Sequence, residues 1–180
     1  TVKIPDNVSD KEASFSIIGS IALNAVRIGK VSIGENCVVI GLGLVGLITC
    51  QLLKISGCKV YGLDIDNYKI KVARSLGIDC ANTSIADLEV NKNFFTNFNG
   101  FDKVFIAANS KKSDPLQTAC LISRQQGTIV LIGESEIKLN RNIFYKKELS
   151  FFISRSYGPG RYDYDFENNN VKFPSEYIRW

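Results

Sequence analysis

Short apolar runs alternate with stretches in which apolar residues recur three or four positions apart along most of the chain. The short runs, bounded by glycine, asparagine or charged residues, predict six β-strands at 37–40, 58–63, 78–82, 101–108, 128–133 and 149–153. The longer stretches predict four helices. The first is capped by Ser9 or Asp10 and has its apolar residues within 13–27, and the second directly follows the first strand. The other two lie at 67–76 and 114–124. Strands that alternate with helices at this spacing predict an α/β fold. Its doubly wound, parallel, six-stranded sheet is flanked by helices and binds ligands at the carboxyl ends of its strands.

Two stretches depart from this pattern. Residues 84–99 are polar and irregular, and Phe94, Phe95 and Phe98 are expected to anchor them in the core. Residues 157–180 follow neither a helical nor a strand period, which predicts an irregular C-terminal extension that connects to a further domain. Residues 1–156 are therefore expected to form one domain, in which 1–30 are a lead-in and a packing helix.

The composition is typical of a soluble globular domain. Of 180 residues, 45% are hydrophobic and 22% are charged, and the net charge of +4 comes from Lys and Arg residues dispersed along the chain. We therefore expect no nucleic-acid partner. No apolar run reaches the ~18 residues that a membrane span needs, so we expect no membrane insertion either.

The cysteine and histidine content limits which disulfides, metal sites and catalytic bases this chain can form. The five cysteines show no CxxC spacing and lie mostly inside apolar runs, which predicts buried, reduced thiols in a cytoplasmic protein. Histidine is absent, so this chain supplies neither a His-containing zinc site nor a His general base, and we expect no zinc in it. The chain also lacks methionine and ends without a helix cap, which favours a segment of a longer protein.

A glycine motif lies between the first predicted strand and the helix that follows it. Gly41 permits a tight turn, Gly43 lets a pyrophosphate approach the backbone, and Gly46 lets the helix pack against the strand. The free N–H groups at the helix start, where Leu44 and Val45 lie, face the anion. The strand before the motif and the helix after it favour a dinucleotide site.

Asp64 directly follows the second predicted strand, 18 residues after Gly46. A carboxylate at this position accepts hydrogen bonds from the adenosine ribose hydroxyls and repels a 2′-phosphate. Together with the glycine motif, it predicts a site that prefers NAD(H) to NADP(H). The alternative is a glycine-rich turn that binds S-adenosylmethionine or a flavin.

These residues resemble the cofactor-binding domain of the medium-chain dehydrogenase/reductase superfamily, the alcohol-dehydrogenase-like enzymes. The likeness covers residues 1–156 and rests on the glycine motif, on residues 4–9, 34–36, 63–66 and 127–133, and on Lys69. It implies a Rossmann-type NAD-binding domain in which Asp64 and Lys69 hold the adenosine ribose and Ile65 flanks the adenine. It also implies that the nicotinamide side is lined by the strand ends at Ala107, Ala108, Ile132 and Gly133.

Residues 147–163 resemble a more particular junction. In bi-domain oxidoreductases, an alcohol-dehydrogenase-like half is followed by a sugar-dehydrogenase-like half of the Gfo/Idh/MocA type, and such proteins often belong to surface-polysaccharide synthesis. The resemblance implies hydride transfer between the nicotinamide and an alcohol or carbonyl carbon, and a sugar derivative is one candidate for the compound that contains this carbon. The catalytic residues would then lie outside this chain, which alone is expected to be inactive.

The chain departs from the family pattern near its start. Ser16 stands where zinc-dependent members carry a cysteine ligand, so the resemblance does not extend to catalytic zinc. Ser20 falls where a hydroxyl often touches the nicotinamide, although an ordinary helix serine explains it equally well.

Two other functions and one partner also follow from the sequence. A noncatalytic NAD(H)-binding regulatory module is the main alternative function. A methyltransferase is the other, and both Lys69 beside Asp64 and the strand 127–133 weigh against it. The strand that contains Leu149 and Ile153, if it lies at the sheet edge, is expected to pair with its copy in a homodimer.

Overall fold

The computed structural model of the chain describes residues 3–82, 96–97, 99–111, 114–158, 160–161 and 163–168. Within these residues, one sheet of parallel strands runs in the order β3-β2-β1-β4-β5-β6. Its strands are β1 (Asn36–Ile40), β2 (Lys59–Asp64), β3 (Asp79–Asn82), β4 (Phe101–Ile106), β5 (Ser123–Leu131) and β6 (Ser150–Ile153). The strand order reverses between β1 and β4, which is where doubly wound sheets open a crevice for ligands.

Helices cover both faces of the sheet, and the predicted α/β doubly wound fold is confirmed. The helices are α1 (Asp10–Ala13), α2 (Ser16–Gly29), α3 (Leu44–Ile55), α4 (Asn67–Ser75), α5 (Asp114–Ile122), α6 (Arg141–Lys147) and α7 (Tyr164–Asn168). Buried residues of α2, α3 and α4 join one core cluster, whereas α5 and α6 pack against a second cluster on the opposite face.

The sequence of β1 explains how one sheet serves two cores. Cys37 and Val39 belong to the first cluster, and Val38 and Ile40 belong to the second. Successive side chains of a strand point to opposite faces, so a strand that is covered on both sides needs apolar residues at every position. This is why the inner strands read as continuous apolar runs.

Several predicted boundaries are wrong by a few residues. The predicted cap at Ser9 is confirmed by its capping box with Glu12, but the predicted first helix is two helices, α1 from Asp10 and α2 from Ser16. The predicted helix 114–124 ends at Ile122, because Ser123 already pairs with Phe101 of β4. Strands β4 and β5 end two residues before the predicted positions, at Ile106 and Leu131.

Two short helices were not predicted. Helix α6 is capped by the Asn140 side chain, which accepts hydrogen bonds from Asn142 N and Ile143 N. Helix α7 lies in the extension that was expected to lack helical structure, and Tyr157 donates a hydrogen bond to Glu167 at its end (2.8 Å). Both helices are too short to produce a visible period in the sequence. The expected anchoring by Phe94, Phe95 and Phe98 concerns residues outside those described.

Among the described residues, no helix combines the length and the hydropathy that crossing a bilayer requires.

Candidate functional site

The carboxyl ends of four strands bring the predicted site residues to one edge of the sheet. Gly41 follows β1, and its N–H donates to Leu63 O of β2 (2.8 Å). Ala107 follows β4, and its N–H donates to Ile40 O of β1 (2.8 Å). Ile132 follows β5, and its N–H donates to Ile106 O of β4 (2.8 Å). The residues after β1, β2, β4 and β5 therefore form a continuous edge on both sides of the crevice.

Gly41 and Gly46 are required by the packing of the turn. Gly41 has φ +96°, in the left-handed region, and a Cβ there would lie 2.5 Å from Ala108 N. A Cβ on Gly46 would overlap Gly41 O. A side chain on Gly41 would push the turn away from the segment after β4, and one on Gly46 would push α3 away from the end of β1. These two glycines therefore keep the turn closed against β4.

Gly43 differs from these two glycines. It is the N-cap of α3, with φ −71° and ψ −173°, which is extended backbone that any residue adopts. Among the described atoms, none lies within 4 Å of the position that its Cβ would occupy. The described part of the fold therefore leaves the space beside Gly43 unused.

The start of α3 faces this space with positive potential. Leu47 N donates to Gly43 O (2.9 Å), which is the first hydrogen bond of the helix, so the N–H groups of Leu44, Val45 and Gly46 precede the bonded turn. The first turn of α3 contains no acidic residue. Because the helix dipole adds to these N–H groups, the site suits an anion such as a phosphate.

Asp64 lies at the end of β2 and is buried, with 6% of its surface exposed. Its Oδ2 accepts a hydrogen bond from Leu42 N (2.7 Å), and its Oδ1 accepts one from Asp66 N (2.8 Å). A carboxylate has about four acceptor positions, so two remain for further donors. The Asp64 carboxylate thus holds the glycine turn and still has acceptor capacity.

Lys69 and Ile65 stand beside this carboxylate. Lys69 Nζ lies 3.8 Å from Asp64 Oδ2, and its half-exposed side chain balances the charge of the buried carboxylate. Ile65 is 79% exposed. Such exposure leaves a large apolar side chain available to a flat apolar ligand group on this side of the edge.

Ala107, Ala108, Ile132 and Gly133 form the other half of the edge. A Cβ on Gly133 would overlap Ala108 O, so the segments after β4 and β5 touch through their backbones. Ser135 Oγ donates to Ala108 O (2.9 Å), and an isolated bridge pairs Ser110 with Ser135. These contacts fix the wall that the resemblance assigned to the nicotinamide side.

Two members of this edge could not be identified from the sequence. Leu42 contributes only its backbone N–H, so its residue type does not indicate this role. Its place inside the glycine motif is the one indication in the sequence. Ser135 contacts Ala108 across 27 residues, and no local pattern marks that contact.

A separate cleft of about 280 Å³ lies at the opposite, amino edge of the sheet. Arg124 and Asp102 line it and neutralise each other in an ion pair (2.6 Å). Neither the glycine turn nor Asp64 contributes to this cleft. The open carboxyl edge suits a long ligand with a phosphate better than this cleft does, because charged and hydrogen-bonding groups remain available there.

Comparison with known families agrees with the geometry. The family model described as zinc-binding dehydrogenase matches residues 45–171, well over half of the chain. The chain belongs to the zinc-binding dehydrogenase family. The predicted resemblance to alcohol-dehydrogenase-like enzymes is confirmed.

This zinc-binding dehydrogenase domain is similar to proteins named as D-xylulose reductases and alcohol dehydrogenases. It is 30% identical over 168 residues to the probable D-xylulose reductase A of Neosartorya fischeri. The aligned region covers 89% of this chain and 46% of the relative. The alcohol dehydrogenase TADH from Thermus sp. ATN1 superposes with a TM-score of 0.76 at 26% identity, over 87% of this chain and 47% of that one.

A further similar structure contains a cofactor. It is the short chain alcohol dehydrogenase (rspB) from E. coli CFT073 complexed with cofactor NADH, with a TM-score of 0.75 and 26% identity over 86% of this chain and 46% of that one. The present zinc-binding dehydrogenase chain spans about half the length of the proteins that it matches.

The family description names zinc, but the residues in the described part of this chain do not form a zinc-binding set. The chain has no histidine, and no group of three or more Cys, Asp or Glu residues within the described ranges could hold a metal ion. Ser16 begins α2 with an exposed side chain, and a neutral hydroxyl is not among the usual zinc ligands.

Proposed function

We propose that this chain is the NAD(H)-binding domain of an alcohol-dehydrogenase-like oxidoreductase. In the whole protein, a hydride moves between the nicotinamide and an alcohol or carbonyl carbon. This domain binds and orients the dinucleotide, and the groups that transfer the proton belong to another part of the protein.

The observation that carries this proposal is the unused space beside Gly43 at the start of α3. Packing explains Gly41 and Gly46, but no described atom explains a glycine at position 43. A pyrophosphate on the N–H groups of Leu44, Val45 and Gly46 explains it, since the phosphate oxygens need a close approach to the backbone.

The preference for NAD(H) over NADP(H) rests on Asp64. Its two remaining acceptor positions suit the hydroxyls of the adenosine ribose, and its buried negative charge opposes a 2′-phosphate. Lys69 contacts the same ribose, and Ile65 flanks the adenine. Ala107, Ala108, Ile132 and Gly133 line the nicotinamide end.

The substrate that we propose is a sugar derivative. The relatives named for xylulose support a polyol or sugar carbon as the hydride donor or acceptor. The resemblance of residues 147–163 to the junction of bi-domain oxidoreductases adds surface-polysaccharide synthesis as the setting. Residues 157–180 then connect this domain to a sugar-dehydrogenase-like half.

The proposed assembly is a homodimer in a reducing, cytoplasmic compartment. Strand β6 is at the sheet edge, and Phe152 and Ile153 are exposed on it, which favours pairing with a second copy. Cys37, Cys50, Cys58 and Cys120 are buried free thiols, as expected where disulfides do not form.

Fluorescence titration of the 180-residue chain with NADH and with NADPH tests the cofactor assignment. We expect saturable binding of both, with NADH bound more tightly. Equal affinity would remove Asp64 from the ribose. A folded chain that binds neither cofactor, or that binds S-adenosylmethionine instead, would overturn the proposal.

A further inference from the structure

Asn24 is a buried polar residue on the apolar side of α2. It lies between the buried Ala22 and Ala25 and is 7% exposed. Its Nδ2 donates to Ser154 Oγ (3.0 Å) and, over a longer distance, to Ser156 O (3.4 Å). One side chain therefore ties an early helix to the segment that follows β6, 130 residues later.

The segment 154–158 is shaped around this amide. Ser156 has φ +52° and Gly158 has φ +89°, so the backbone enters the left-handed region twice within three residues. A Cβ on Gly158 would overlap Asn24 Oδ1. Only glycine fits against the amide here, and the close contact fixes the path of the chain beyond β6.

The segment reaches the same edge of the sheet as the proposed site. Leu131 pairs with Ile153 at the end of β5 and β6, and Ser154 N donates to Leu131 O (2.8 Å). Ser154 is thus the neighbour of Ile132 across the sheet. Ser154 therefore extends the row of strand ends at Ala107 and Ile132 toward β6, and Ser156 and Gly158 lie against Asn24 of α2.

We propose that Asn24 is a positioning residue for the nicotinamide end of the cofactor site, a role that rests on the function proposed above. Asn24 does not touch the dinucleotide. It holds the segment 154–158 in one conformation beside Ile132, and that segment in turn confines the nicotinamide. The adenosine half of the site, around Gly43 and Asp64, is independent of it.

The hydrogen bonds explain why a buried amide serves this role. Its donor group is satisfied only while the Ser154 hydroxyl and the Ser156 carbonyl lie where the structure has them. A displaced segment leaves buried polar groups unpaired, which is costly. The contact therefore selects one position of the segment in a way that apolar packing alone does not.

The test compares two ligands that share the adenosine and pyrophosphate groups. NADH includes the nicotinamide and ADP-ribose lacks it. In Asn24→Leu, we expect affinity for NADH to fall about tenfold and affinity for ADP-ribose to stay within about twofold. The fluorescence of bound NADH at saturation should also shift toward that of free NADH, because the nicotinamide becomes less confined.

Two further variants separate positioning from a general loss of stability. Gly158→Ala approaches the same contact from the other side and should give the same selective loss. Gln51→Leu is the matched control, since it replaces an exposed amide on α3 and should change neither ligand.

Each outcome has a defined meaning. Equal losses for NADH and ADP-ribose, or unchanged NADH binding in both Asn24→Leu and Gly158→Ala, would overturn the positioning role while leaving the dinucleotide site intact. A folded wild-type chain that binds neither ligand would instead overturn the proposed function itself, and the positioning role with it.

Discussion

The backbone N–H of Leu42 donates to the Asp64 carboxylate at 2.7 Å, which joins the glycine turn after β1 to the end of β2. Asp64 also accepts from Asp66 N at 2.8 Å. One buried side chain therefore has two roles. It stabilises the turn in the free protein, and in the proposed function its remaining acceptor positions bind the adenosine ribose. Substitutions at Asp64 should affect both properties, to different extents.

Asp64→Ala and Asp64→Asn separate these roles. Alanine leaves two backbone N–H groups without their acceptor, so the free energy of unfolding should fall by about 1–3 kcal/mol. Asparagine keeps an acceptor for Leu42 but removes the charge, so it should cost less stability and reduce the preference for NADH over NADPH. Urea unfolding and fluorescence titration measure the two effects. Asp66→Asn, which removes a neighbouring charge, is the control, and NADH affinity that is unchanged in Asp64→Asn would contradict the ribose assignment.

Gly41→Ala should reduce stability, whereas Gly43→Ala should reduce NADH affinity. Alanine at position 41 must adopt φ +96° and approach Ala108 N, so unfolding should become easier by about 1–3 kcal/mol. Alanine at position 43 meets open space with an ordinary backbone, so stability should change by less than about 1 kcal/mol. NADH affinity should nevertheless fall at least about tenfold in Gly43→Ala. Thermal unfolding and NADH titration of both variants test this contrast, which wild-type affinity in Gly43→Ala would refute.

Lys147 closes the end of α5 from the neighbouring helix α6. Its Nζ donates to the carbonyl oxygens of Cys120 (2.9 Å), Leu121 (2.8 Å) and Ser123 (2.7 Å). Lys147→Met keeps the length of the side chain but leaves these acceptors unpaired, so the free energy of unfolding should fall by about 1–3 kcal/mol. The exposed Lys146 gives the matched control. Equal effects of Lys146→Met and Lys147→Met in urea unfolding would show that the three hydrogen bonds contribute little.

The buried thiols should make stability decline in alkaline solution. Burial raises the pKa of Cys37 and Cys58, and it raises that of Cys120 from 9.0 to about 11. The folded state holds the thiol proton more tightly than the unfolded state. This contribution is therefore complete below pH 9.0 and, for Cys120, is lost as the pH rises toward about 11. When urea unfolding is measured across this pH range, the free energy of unfolding should fall less steeply with pH in Cys120→Ala than in the wild type. An identical pH dependence in both proteins would contradict the prediction.

The edge strand β6 should determine the oligomeric state. Ile153 is 59% exposed on that strand, so Ile153→Lys places a charge where a second copy is expected to pair. Sedimentation should show a dimer for the wild type and a monomer for this variant. Ile55→Lys, at another exposed isoleucine on α3, should leave the dimer intact. A wild-type chain that stays monomeric at every concentration would remove the edge-pairing proposal.

The sequence predicts the parts of this molecule that depend on local order. The apolar runs of β1 and β2, the glycine motif and Asp64 all follow from residues within one or two elements of each other. Other features depend on strand order, which the sequence alone does not fix. The hydrogen bond from Leu42 to Asp64 requires β1 and β2 to be neighbours, and the contact of Asn24 with Ser154 spans 130 residues. Helix α6 was missed for a different reason, because its seven residues are too few to establish a helical period.

The open space beside Gly43 also bears on how this domain can change through evolution. Side chains at positions 41 and 46 are excluded by the domain's own backbone, so those glycines should persist in any descendant that keeps the fold. The described residues place no such restriction on position 43. A lineage that stopped using a dinucleotide could acquire a larger residue there without harm, and the residue at this one position would record whether the ancestral ligand had been retained.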